Sequence, residues 1–450
     1  MSGGVKVSGP LLLVVVVAVI IFLILLVSKF RLNAFLALIV TSLILGLLSG
    51  IKPVECVKLI TEGFGGLMAY IGIVIALGVI IGEFLEATGG AEKIAESVLK
   101  LVGRDRSVLA MGITGAIVSI PVFCDSGFVI LNPIIKALSR VGKVPLFCLS
   151  TALMAGLLVT HVFVPPTPGP IASAGILGAD LGKVVFYGIL CSIPPVIVCS
   201  LWANSKFLRN KFPRLADGDK QVAVSQEVPQ KTKSPSTFQA YLPIVVPILL
   251  IVMQSFGKQM LPEGSSLQNF LAFIGHPVIA LLIGTALAFT LTPVLNEEIL
   301  DTWVGRALEK ATIILLVTAA AGSFGKVLGA TGIGEYLGNL IAGSGVPGIL
   351  LPFLIAAFIV TAQGSATVAI LTTSAIIKPM LPALGISPEL AVLAIGAGAV
   401  TVVHANGSYF WVVVKFSDMT ISEGYWSVTL TTLIMGIVGF LSVAILSLFV

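Results

Sequence analysis

Residues 145–176 read PLFCLSTALMAGLLVTHVFVPPTPGPIASAGI, 32 positions without one Asp, Glu, Lys or Arg. About 20 apolar residues suffice for a helix to cross a hydrocarbon core about 30 Å thick, so this stretch is long enough to span a membrane. Pro165, Pro166, Pro168 and Pro170 nevertheless place four prolines within six residues, and such a run cannot continue a helix. Backbone N–H and C=O groups freed at membrane depth are tolerated only inside protein or beside a watery cavity. The stretch therefore predicts a membrane-spanning helix broken at a binding pocket.

The rest of the chain agrees. Of 450 residues, 57% are hydrophobic and 10% charged, and the mean hydropathy is +1.10, which excludes a soluble enzyme. Apolar runs recur at 11–27, 34–50, 66–85, 145–176, 184–203, 241–255, 278–292, 311–328, 390–414 and 428–450, and polar residues interrupt two more at 107–138 and 346–380. The predicted fold class is an all-α polytopic membrane protein. The first run lacks a small-x-small cleavage site and is followed by Lys29 and Arg31, so it reads as a retained span with its N-terminus outside. The net charge of +5 bears on topology and not on nucleic acid, for which no partner surface is expected. Residues 204–238 carry Lys206, Arg209, Lys211, Arg214, Lys220, Lys231 and Lys233 against Asp217, Asp219 and Glu227, the composition of a flexible, basic, cytoplasmic linker. Lys93, Lys100, Arg104 and Arg106 mark a second cytoplasmic stretch, in which Ile94, Val98 and Leu101 form the apolar side of an interfacial helix. Five cysteines without C-x-x-C spacing lie mostly in apolar runs and read as small hydrophobes, with neither a disulfide nor a metal site expected.

The two halves resemble one another. Gly82, Leu85, Ala87, Thr88, Gly89, Glu92 and His161 fall on Gly325, Leu328, Ala330, Thr331, Gly332, Glu335 and His404 at a common offset of 243, while Ile134, Ile135 and Lys136 recur as Ile376, Ile377 and Lys378 at 242. If both interrupted runs are re-entrant hairpins, each half makes five crossings plus one hairpin, and an odd number of crossings inverts the second half. The basic stretch 90–106 has a partner at 333–347 whose only charge is Glu335, as inversion requires. The expected organisation is a membrane repeat at 1–203, the linker at 204–238 and an inverted repeat at 239–450, with both termini outside. Inverted repeats are the ground plan of many secondary transporters, which place substrate at the midplane between the halves.

The predicted hairpin tips are Pro121 to Gly127 and Thr361 to Thr367, and the next span in each half breaks at His161 to Pro170 and His404 to Ser408. Candidate substrate contacts are Asp125, Ser126, Gly127, His161, Pro166, Thr167, Gly169, Gln363, Gly364, Ser365, Thr367, His404, Asn406, Gly407 and Ser408. Broken helices offer N-terminal amides to a carboxylate, and the hydroxyl and amide side chains suit a polyol. Asp125 and His161 are the candidate proton carriers, because ionisable groups at that depth are costly and functional by default. A neutral histidine bonded to freed backbone is an equally good account of His161 and His404. Glu83 and Lys326, equivalent in the repeat, are expected to snorkel; His276 reads as interfacial, and Asp180 and Asp418 as loop caps. Broken-helix carbonyls with Ser and Asn oxygens equally suit Na⁺. A channel is the distant alternative, and the chain has no H-E-x-x-H, G-x-S-x-G or Walker lysine motif of an enzyme.

The stretches Ile120 to Leu131 (IPVFCDSGFVIL), His161 to Asp180 (HVFVPPTPGPIASAGILGAD), Gln363 to Ile370 (QGSATVAI) and His404 to Trp411 (HANGSYFW) resemble the signature segments of the gluconate permease (gluconate:proton symporter) family. The resemblance covers essentially the whole chain. It implies proton-driven uptake of gluconate or a related small hydroxylated monocarboxylate through the cytoplasmic (inner) membrane, without a cofactor. It also implies a fold similar to the broader ion-transporter superfamily, elevator-type alternating access, and a homodimer or larger homo-oligomer. Thr167 stands where the family typically has a second histidine, and His404, Ala405, Asn406, Gly407 where it commonly has His-Val-Asn-Asp. These departures leave glycerate, another sugar acid and D-serine as alternative substrates.

Overall fold

The computed structural model describes residues 9–103, 106–142, 144–211, 235–297, 299–334, 336, 347–405 and 407–450, among which there is no strand. Arg104, Glu335, Asn406 and most of the predicted linker, 212–234, lie outside the described residues. The first half comprises α1 (Gly9–Ser28), α2 (Ala34–Leu48), α3 (Pro53–Thr88), α4 (Gly90–Val102), α5 (Ser107–Val118), α6 (Cys124–Gly142), α7 (Leu146–Phe163), α8 (Pro168–Leu177) and α9 (Leu181–Ala203). A short α10 (Lys206–Lys211) occupies the beginning of the predicted linker. The second half comprises α11 (Thr237–Met260), α12 (Ser266–Ile274), α13 (Pro277–Phe289), α14 (Val304–Ala330), α15 (Leu350–Gln363), α16 (Ala366–Ile377), α17 (Leu381–Leu384), α18 (Pro388–Ala399), α19 (Ser408–Phe416), α20 (Ile421–Gly424) and α21 (Leu430–Leu446).

Seven helical stretches among the described residues are long and apolar enough to cross a membrane, or nine if each of two bent pairs forms one span. The bends are 46° within α3 and 60° between α12 and α13. The second bend departs from the apolar-run reading, which began the span at Val278 and left α12 unassigned. Ser265 caps α12, and Pro277 occupies the first turn of α13, where its missing N–H costs nothing. Asp180 caps α9 by accepting from Lys183 N at 3.0 Å, the role expected of it.

Element order in the first half recurs in the second. The helices beginning at 34, 107, 124, 146 and 181 have counterparts beginning at 277, 350, 366, 388 and 421, offsets of 243, 243, 242, 242 and 240. The long helices α3 and α14 pack antiparallel, because Glu62 pairs with Lys326 at one end and Glu83 with Arg306 and Lys310 at the other. Their backbones cross closely at Gly63 and Gly322, where a β-carbon on either glycine would lie 2.6 Å from the other's carbonyl oxygen. Small residues at such crossings let membrane helices approach without side chains between them. The same device joins α5 to α7, where a β-carbon on Gly115 would lie 2.6 Å from Leu153 O and one on Gly156 would run into Gly112 O.

Burial sorts the helices into a centre and a rim. Every residue of α7 is buried, as are nine consecutive residues of α16, Ala369 to Ile377. By contrast α1 exposes Leu11, Val14, Val17, Ile21 and Leu25, an apolar surface suited to lipid. In α4, Ile94 and Val98 are buried against the protein, while Leu101 is 88% exposed. Glu83 does not snorkel: its side chain is 5% exposed and held by Lys310 Nζ at 2.6 Å and Arg306 Nε at 3.2 Å.

Candidate functional site

The run of prolines does break its helix. Helix α7 ends at Phe163, Val164 to Thr167 form the connection with a cis bond between Pro165 and Pro166, and α8 starts at Pro168. In the second half α18 ends at Ala399 and α19 begins at Ser408, with Val400 to Gly407 between them. The two interrupted runs form helix pairs. The turn Ser119 to Phe123 joins α5 to α6, and Gly364 and Ser365 join α15 to α16. Gly364 has φ +84°, a left-handed conformation that favours glycine.

These four segments meet in pairs. Phe123 at the first tip packs against the His161 ring in a tilted arrangement, with centroids 6.2 Å apart. His404 Nε2 lies 2.9 Å from Thr361 O at the second tip, and a β-carbon on Gly407 would lie 2.5 Å from Gly364 O. Contacts also cross between the halves. Ser173 of α8 and Ser374 of α16 share a buried hydroxyl bond of 2.7 Å, and a β-carbon on Gly169 would lie 2.9 Å from Ile370 Cδ1. Tyr409 at the start of α19 donates to Met154 O at 3.2 Å, sits edge-on to Phe128 of α6, and lies within electrostatic reach of Asp125. Each break is thus bracketed by elements of both halves.

Asp125 stands in the first turn of α6, where the amides of an N-terminus favour negative charge. Its Oδ1, together with His161 Nδ1 and Gln363 Nε2, is buried with no hydrogen-bond partner among the described residues. Buried polar atoms are rarely left unsatisfied, so each of these three is open to a ligand or water. Ser126, Gln363, Gly364, Ser365, Thr367, His404 and Pro166 are half-buried, Gly127, Thr167, Gly169 and Gly407 are buried, and Ser408 is exposed.

Two expectations change. The Thr167 hydroxyl donates to Val164 O at 2.6 Å, so toward a substrate it can only accept. Ser365 caps its own helix by accepting from Val368 N at 3.4 Å. Neither α8 nor α19 starts with a side-chain cap, but Pro168 and Pro170 remove two N–H groups from the first turn of α8. Sequence reading missed Tyr409, and it missed Gly78 and Gly82 of α3. A β-carbon on Gly78 would lie 3.2 Å from Pro166 O, and one on Gly82 would collide with Pro121 O, so this glycine pair seats both the first break and the first tip. Its signal was the i, i+4 spacing of two glycines in an apolar helix.

The chain is 32% identical to the gluconate permease of Pseudomonas aeruginosa, covering 95% of each chain. It is 34% identical to the inner membrane permease YgbN of Escherichia coli, covering 93% and 94%. Among solved structures it resembles the YdaH transporter of Alcanivorax borkumensis, with a TM-score of 0.61, 17% identity, and coverage of 92% and 95%, a likeness of fold. Residues 11–449 match the model described as GntP family permease, so the chain belongs to the GntP permease family of multi-pass membrane transporters and is not an enzyme.

Proposed function

We propose that the protein is a proton symporter that takes up gluconate or a related small hydroxylated monocarboxylate. The carrying observation is Asp125, a carboxyl group at a hairpin tip with a buried oxygen unsatisfied among the described residues, two positions from Phe123, whose ring contacts that of His161, where Nδ1 is likewise unsatisfied. In this reading the amides of α6, α16 and α19 receive the substrate carboxylate. Ser126, Gln363, Thr367 and Ser408 contact its hydroxyls, and Asp125, with His161 beside it, carries the proton. Relatives suggest the substrate class, one being a gluconate permease of Pseudomonas aeruginosa and another an L-idonate transporter of Escherichia coli.

The matching element order and the antiparallel α3 and α14 support two inverted repeats, each of five crossings and one re-entrant hairpin. Under the shift of 243, the pair Glu62 and Lys326 maps to positions 305 and 83, beside the Arg306 and Glu83 pair. Helices α3 and α14 then form the scaffold, and the hairpins with the broken spans form a transport domain that moves like an elevator, within a homo-oligomer. Both termini face outside, and 204–238 lies in the cytoplasm.

The test is uptake of radiolabelled gluconate and glycerate into proteoliposomes under an imposed pH gradient or a sodium gradient. Accumulation driven by the pH gradient supports the reading. Accumulation that needs Na⁺ and ignores the pH gradient overturns the coupling, and flux at single-channel rates overturns the carrier.

A further inference from the structure

A cavity of about 660 Å³ lies away from the breaks, between the first half of α3, the last turn of α8, the last third of α14 and Lys378. Its volume falls in the range of small-molecule sites. Glycines make the room: Gly66 and Gly329 are on its wall, and a β-carbon on either meets no atom within 4 Å. Its charged groups are Lys326, Lys378 and Glu62. Glu62 lies 3.5 Å from Lys326 Nζ and 3.9 Å from Lys58 Nζ, whereas no acid among the described residues is within ion-pair distance of Lys378. The Lys378 ammonium instead points at the end of α8, 3.5 Å from where a β-carbon on Gly178 would be. The cavity therefore holds an excess of one cation between apolar helices, where low-dielectric walls focus its field.

The position matters as much as the charge. Ile176 lines the cavity and Pro168 opens the same helix at the break, so the two are eight positions apart along α8, about 12 Å at the helical rise. We propose that this cavity is a second binding site, a vestibule in which Lys378, assisted by Lys326, captures the carboxylate of an organic acid before it reaches the broken helices. The identity of the acid rests on the symport reading, but the anion selectivity of the vestibule does not. The repeat counterpart of Lys378, Lys136, lines no part of this cavity.

The test places a thiol at Gly66 by Gly66→Cys and compares its rates of modification by the anionic sulfonatoethyl and the cationic trimethylammonium-ethyl methanethiosulfonates. The five native cysteines are buried and can stay in place. In vesicles of neutral lipid at low salt, the anionic reagent should react faster, and Lys378→Gln should lower the anionic-to-cationic ratio about 3- to 10-fold, as expected for one charge removed several ångströms away. Lys136→Gln should leave the ratio unchanged, and gluconate should slow the anionic reagent. Equal ratios with and without Lys378, or protection by anionic lipid and by no soluble acid, would overturn the vestibule. Because labelling needs no transport, a failed uptake experiment with an intact ratio would count against the symport reading alone.

Discussion

The contact between Gly82 and the first hairpin tip gives the sharpest test of how the site is built. A β-carbon on Gly82 would collide with Pro121 O, one on Gly78 would lie 3.2 Å from Pro166 O, and one on Gly325 would lie 3.4 Å from Ala375. The last separation is ordinary van der Waals contact, the second requires a few tenths of an ångström, and the first requires the tip to retreat by about 1 Å in a close-packed interior. Overpacking of this kind costs about 1–3 kcal/mol. The tip also carries Asp125 four residues after Pro121, and a 1 Å misplacement of a reacting geometry can lower a rate about 100-fold. Gly82→Ala should therefore reduce initial uptake about 10- to 100-fold, Gly78→Ala a few-fold, and Gly325→Ala hardly at all. Helix propensity runs the other way, favouring Ala over Gly by about 0.5–1 kcal/mol at all three positions, so propensity alone would stabilise each variant. Uptake into proteoliposomes, normalised to the monodisperse fraction on fluorescence-detected gel filtration, measures the series. Equal rates for Gly82→Ala and Gly325→Ala would refute the claim that α3 seats the tip.

Two other contacts predict stability effects. Glu83→Gln should destabilise by about 1–2 kcal/mol, less than the 3–5 of a fully buried pair because Arg306 is 50% and Lys310 38% exposed, and Lys310→Met added to it should restore part of the loss. An unchanged melting temperature by tryptophan fluorescence would count against the pair. The Ser173 and Ser374 hydroxyls should each be worth about 1 kcal/mol, and the double alanine variant should lose less than the sum of the two singles. Strict additivity would mean that the hydroxyls do not meet.

The all-helical membrane class and the two interruptions were legible in the sequence because each depends on local chemistry, whereas the described residues hold seven to nine spans rather than the ten crossings expected. Apolar length sets a span, and the prolines at 165–170 must break one. The repeat was expected from identities at offsets of 242 and 243, and five helix starts recur at offsets of 240 to 243. What was not legible depends on which surfaces touch. The bend between α12 and α13 follows from packing against α11, whose Gln254 and Leu250 crowd Gly275. Snorkelling was a fair expectation for Glu83 from its own helix, but Arg306 and Lys310 come from a helix more than 200 residues away. At the candidate site, residue types in the breaks were readable, whereas the use of the Thr167 and Ser365 hydroxyls on their own backbone was not.

The central claim is that Asp125 carries the proton that moves with the substrate. Vesicles loaded with a pH-sensitive dye report proton entry when gluconate is added outside, and preloading them with unlabelled gluconate separately reports exchange. Wild type should acidify on addition of gluconate, and Asp125→Asn should exchange gluconate without acidifying. Acidification by Asp125→Asn at the wild-type rate per gluconate taken up would contradict the claim.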